Sequence, residues 1–162
     1  MKNKIIKFEN LRNKISKLKI NNKKLVVCHG VFDVVHIGHI RHFIKAKEFG
    51  DILIVTVTSD RFVNKGSDRP IFDQNKRIEF LSKLDCIDYV CLSDNSSAIK
   101  ILKIIKPNYY LKGQDYKNFK DDKTGKINLE KKIVEKFGGK IVFTNEEAHS
   151  SSNLINNKFS FN

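Results

Sequence analysis

Two histidines stand three residues apart in Gly30-Val31-Phe32-Asp33-Val34-Val35-His36-Ile37-Gly38-His39, with one glycine between them and another six residues before the first. At a helix start, side chains three apart lie on one side, so both imidazoles face the same partner. A helix start also presents unpaired amide donors and the positive end of its dipole, which suits an anion. Gly30 lets the backbone turn closely under a phosphate, and Gly38 removes a side chain where phosphate oxygens approach. Polar surface and a metal pair are the competing readings. A zinc site wants further ligands, and no cysteine–histidine pattern supplies them. The coincidence of imidazoles, glycines and a strand-to-helix position favours phosphate chemistry, with no metal ligand named.

The elements that must hold this stretch follow from hydrophobic spacing. Residues 1–22 read as an N-terminal amphipathic helix, with Phe8, Leu11, Ile15 and Leu18 at three- and four-residue steps. Lys24-Leu25-Val26-Val27-Cys28 is a nearly all-apolar run, as in a parallel strand covered on both faces. A helix from Ile37 to Gly50 follows it. Further strands are expected over residues 52–57, 89–92, 109–111 and 140–143. Between them, helices are expected after the cap Asp73, from about Ser96 to Lys106 before Pro107, through Ile133 and Phe137, and from near Ser151. Alternating strands and helices predict an α/β fold, a doubly wound and mainly parallel five-stranded sheet. Residues 23–162 carry it, and the whole chain reads as a single domain. Ligands in such sheets bind beyond the carboxyl ends of the strands, where residues 29–39, 59–70, 112–115 and 148–152 should converge.

The chain has 162 residues, three cysteines and a formal net charge of +13. Lysine is spread throughout beside abundant asparagine and isoleucine, without an arginine cluster or an aromatic-basic ribbon, so nucleic acid is not the expected partner. A small anionic substrate suits the same charge. No apolar run has membrane-spanning length, and Cys28, Cys86 and Cys91 lie beside apolar residues as core thiols. A cytoplasmic protein without membrane partners is expected.

Gly30-Val31-Phe32-Asp33 followed by His36-Ile37-Gly38-His39 resembles the GxFD...HxGH signature of the cytidylyltransferase-like nucleotidyltransferases, over most of residues 25–156. Within that family the chain is most similar to the adenylyltransferase domain of ADP-heptose synthase, and less so to glycerol-3-phosphate cytidylyltransferase. Lys65-Gly66 before Arg69-Pro70, Leu111-Lys112-Gly113-Gln114-Asp115-Tyr116, and Gly138-Gly139 carry that preference. The resemblance implies a Rossmann-like fold of the HUP type. It gives His36, His39, Lys65 and Arg77 as catalytic residues on the phosphates. It implies that Gly30, Val31, Phe32, Asp33, His36, His39, Lys112, Gly113, Asp115 and Ser150-Ser151-Ser152 bind nucleotide, with N-capping the other account of the serines. Asp33 and Arg69 would contact the acceptor.

The activity implied is transfer of AMP from ATP to a heptose-type sugar 1-phosphate with Mg²⁺ held mainly by substrate phosphates, releasing pyrophosphate. CTP with a polyol or sugar phosphate is the alternative, and a non-catalytic nucleotide-binding domain is another. A homodimer is expected, and relatives suggest fusion to or cooperation with a sugar kinase. The chain departs from many relatives at Asn145 and Asn156-Asn157, where they carry basic residues, and residues 118–126 form an insert of undetermined role.

Overall fold

A computed structural model of the chain describes residues 3–66, 68–113 and 125–144. The β-branched and apolar runs become β2 (Leu25–Gly30), β3 (Ile52–Thr58), β4 (Tyr89–Ser93), β5 (Tyr109–Lys112) and β6 (Lys140–Phe143), and a two-residue strand β1 (Ile5–Ile6) precedes them. All pair in parallel in the order β1-β4-β3-β2-β5-β6. Cys28 of β2 stands opposite Val55 of β3 on one side and Leu111 of β5 on the other.

Alternation along the strands divides the core between the two sheet faces. Leu25, Val27 and Tyr110 pack under α1 (Phe8–Ile20), α4 (Ile99–Ile105) and α5 (Lys126–Lys136), through Leu11, Ile15, Leu102, Ile105 and Val134. Val26, Cys28, Val55 and Leu111 pack under α2 (Ile37–Lys47) and α3 (Gln74–Ser82), through Phe43, Ala46, Ile78 and Leu81. Helices therefore cover both faces, as doubly wound sheets require. Asp73 caps α3 as expected, accepting from the amides of Asn75 and Lys76.

Two expectations are corrected. Among the described residues the sheet has six strands rather than five, and the helix expected over residues 1–22 runs from Phe8 to Ile20. Ile5 and Ile6 pair with Val90 and Cys91 instead, extended by a bond from the Val90 amide to the Lys4 carbonyl at 2.9 Å. Two residues are too few to show a strand period, so only the partner strand reveals them. The helix expected near Ser151 lies outside the described residues.

The chain enters β6 through a glycine that the packing demands. A Cβ on Gly139 would lie 2.2 Å from the Pro107 carbonyl oxygen. Cys28 and Cys91 are buried free thiols, and burial pushes both pKa values up, Cys91 to about 12; Cys86 is half-buried.

Candidate active site

β2 lies where the strand order turns back: β3 and β4 build outward on one side of it, and β5 and β6 on the other. In doubly wound sheets ligands bind beyond the carboxyl ends of the strands at such a switch, here between β2 and β5. Gly30 ends β2 and Lys112 ends β5, so two of the sequence candidates stand at the switch point.

The turn out of β2 is set by Gly30 and Phe32. A Cβ on Gly30 would come within 3.0 Å of the Phe32 ring, and Phe32 takes a left-handed backbone with φ of 51°. That conformation is costly for a bulky residue. It drives the ring inward, edge-on to His39 at 5.5 Å and to Phe43 at 5.2 Å between centroids.

His36 is the N-cap of α2, and it and His39 form a reciprocal box. The Gly38 amide donates to His36 Nδ1 at 3.1 Å, and the His36 amide donates to His39 Nδ1 at 3.4 Å. An Nδ1 that accepts an amide proton carries none of its own, so each neutral ring bears its proton on Nε2. The ring centroids are 4.0 Å apart. Burial, then unfavourable coupling to the His36 and His42 rings and to the Lys65 ammonium, lowers the His39 pKa to about 3. The helix start thus holds two imidazoles as oriented N–H donors, with His39 uncharged.

Lys65 stands on the exposed loop after β3. Desolvation and the neighbouring Arg69 hold its ammonium below the ordinary lysine value, and its charge bears on His39. Arg69 precedes Pro70 through a cis peptide bond and turns inward to Asp33, with Nε donating to Oδ2 at 2.7 Å. Both side chains are buried. Burial raises the Asp33 pKa, but hydrogen bonds from the Phe72 and Ile71 amides, and then Arg69, outweigh it and leave a net lowering. Asp33 and Arg69 are therefore adjacent, as a joint acceptor role requires, while the Asp33 carboxylate is engaged by protein donors.

Arg77 departs from the expected phosphate clamp. Its side chain is fully buried. Nε donates to the Phe72 carbonyl at 3.0 Å, Nη2 to the Thr58 carbonyl at 2.9 Å and to Asp60 Oδ1 at 2.6 Å, and Nη1 to the Val31 carbonyl. The fork fastens the turn after β2, the end of β3 and the approach to α3, the walls around the histidines. Its donors are directed to protein oxygens.

Lys112 is also buried, with its ammonium 3.5 Å from Glu130 and over the Tyr110 ring. Among the described residues, nothing lies within 4 Å of the position a Cβ on Gly113 would take. Asp115 and Ser150-Ser151-Ser152 lie outside the described residues.

Sequence reasoning singled out none of four further groups around this end of the sheet, though His29 and Asp60 lie in stretches expected to converge there. His29, in β2, sits 2.9 Å from Thr56 Oγ1, with its pKa lowered to about 3 by burial and by Lys112. His42, in α2, meets Thr144. Asp60 exchanges hydrogen bonds with Gln74 and receives Arg77. Glu130 occupies the buried stripe of α5 with Ile127 and Val134. A carboxylate at a stripe position was the one visible signal.

The cytidylyltransferase-like family matches residues 27–157 of the chain. The chain is 35% identical over 155 residues to the bifunctional protein HldE of Geobacter metallireducens, covering 94% of this chain and 30% of that protein. It is 41% identical over 112 residues to HldE of Nitratiruptor sp., covering 68% and 24%. The chain thus spans less than a third of these relatives. Among solved structures, it resembles a lipopolysaccharide core biosynthesis protein from Thermoplasma volcanium, with a TM-score of 0.64 and 30% identity over 78% of this chain and 99% of that one. The fold is also that of pantoate-beta-alanine ligase from Francisella tularensis, with a TM-score of 0.60 and 20% identity, covering 86% and 66%. With this fold and the paired imidazoles at the start of α2, the chain belongs to the cytidylyltransferase-like family and is a nucleotidyltransferase.

Proposed function

We propose that the chain transfers AMP from ATP to a heptose-type sugar 1-phosphate, releasing pyrophosphate. The observation that carries the transfer is the reciprocal histidine box, which fixes both Nε2–H donors at a helix start before any nucleotide arrives. An oxygen of the acceptor phosphate attacks the α-phosphorus in line, and the bond to the β-phosphate bridging oxygen breaks. His36 and His39 donate to oxygens whose negative charge grows, a contribution of about 3 kcal/mol for each preorganised donor. Lys65 draws the triphosphate to them, and Arg69, held by Asp33, receives the acceptor. One guanidinium nitrogen of Arg69, Nη2, is buried without a hydrogen-bond partner among the described residues, which supports an anion there. Arg77 supports the reaction from behind, by holding the loops.

Mg²⁺ would be held chiefly by the phosphate oxygens of the triphosphate and by water, and would offset phosphate charge. The groups present fit that arrangement, because imidazole N–H donors and a lysine address phosphate oxygens and Asp33 is occupied by Arg69.

The choice of acceptor rests on likeness to the bifunctional HldE proteins and to the lipopolysaccharide core biosynthesis protein. By the same likeness, a sugar kinase supplies the acceptor, fused or as a separate partner. Homodimerisation is part of this proposal too. A pyrophosphate-release screen crossing ATP and CTP with sugar and polyol phosphates tests it. Turnover with ATP and a heptose 1-phosphate is expected; exclusive use of CTP would move the assignment to a cytidylyltransferase. No turnover with any pair would remove the enzymatic reading.

A further inference from the structure

We infer that His42, Thr144, Lys112 and Glu130 form a buried polar relay that fixes the ends of β5 and β6 against the histidine-bearing helix and so sets nucleotide affinity.

The relay begins in α2, one turn beyond His39, where His42 Nδ1 lies 2.8 Å from Thr144 Oγ1. Thr144 follows the last residue of β6. Its amide donates to the Lys112 carbonyl at 2.9 Å, adding one rung to the β5–β6 ladder, and its hydroxyl lies 3.4 Å from the same oxygen. From Lys112 the chain of contacts passes through the side chain, with Nζ 3.5 Å from Glu130 Oε2. Glu130 in turn accepts from the Tyr110 hydroxyl at 2.9 Å and from the Ala98 amide at 3.2 Å, where α4 begins.

Lys112 and Glu130 are 7% and 4% exposed, which decides how their pair should be read. Desolvating two charges costs about as much as their attraction returns, so such a pair adds little net stability while strongly specifying one arrangement. What it specifies here is the position of the strand ends at the switch point. Thr144 and Glu130 are positioning residues, acting through Lys112 and the backbone.

The inference rests on the nucleotidyltransferase reading, and its test separates the two. Binding of non-hydrolysable ATP and CTP analogues is measured by calorimetry on the wild type, Glu130→Gln, Thr144→Val and Thr144→Ser, with thermal melting of each. Glu130→Gln and Thr144→Val should weaken binding about tenfold and raise nucleotide KM similarly, with kcat within about threefold, while Thr144→Ser restores binding to within about twofold. If folded Thr144→Val binds as the wild type does, the relay is overturned and the contacts are structural only. Should Glu130→Gln not fold, the two Thr144 variants decide. A wild type that binds neither analogue contradicts the functional reading itself, and the relay falls with it.

Discussion

His39 combines two properties that pull in opposite directions. Its ring is oriented as a donor toward an anion, yet burial, with unfavourable coupling to the His36 and His42 rings and to the Lys65 ammonium, keeps it neutral with a pKa of about 3. A bound triphosphate supplies the negative charge that the free site lacks, so it must raise that value. In an NMR titration, His39 should charge at higher pH with nucleotide than without; an unchanged titration would place the phosphates elsewhere. His39→Ala should lower kcat at least about a hundredfold with little loss of melting temperature, since the ring's contribution is to charge developing in the reaction. Both histidines were legible in the sequence because their spacing, Gly30 and Gly38 lie within ten residues. The tautomer they share was not, because it depends on amides oriented by the folded cap.

Between elements, the fold was legible where each segment carries its own period, as in β2, β3, α2 and α5. It was obscure where meaning comes from a distant partner. The family resemblance puts Arg77 on the phosphates, but its partners are oxygens of Phe72, Asp60, Thr58 and Val31, at separations of 5, 17, 19 and 46 residues. Glu130 is the same case, with partners 20 and 32 residues away. Arg77→Ala should leave four buried or half-buried oxygens without their donor and destabilise the fold by about 3 kcal/mol or more. Lys65→Ala, on an exposed loop, should leave stability within about 0.5 kcal/mol while lowering kcat/KM. Urea unfolding of both variants checks the pair. A stable Arg77→Ala that loses only activity would return that residue to the phosphates.

Across the whole molecule, three buried or half-buried histidines bind protons more weakly folded than unfolded: His29 and His39 at about 3 and His42 at about 4, against an ordinary 6.5. The unfolded chain therefore takes up more protons between those values, and stability falls as pH drops below about 6.5, by up to about 1.4 kcal/mol per pH unit for each ring. Melting temperature should decline steeply from pH 6.5 toward pH 4, and His42→Gln should flatten the decline; a flat profile would mean the rings are less buried than their packing indicates. The +13 charge was visible from composition alone, but its use was not, since a basic chain serves many anions equally. The most direct test of the central claim follows the phosphorus itself. Given ATP labelled at either the α or the γ position with a heptose 1-phosphate, the protein should carry the α label into the sugar product and release the γ label in pyrophosphate. A γ label in the sugar product, or an α label that never leaves the nucleotide pool, would contradict nucleotidyl transfer at the histidine pair.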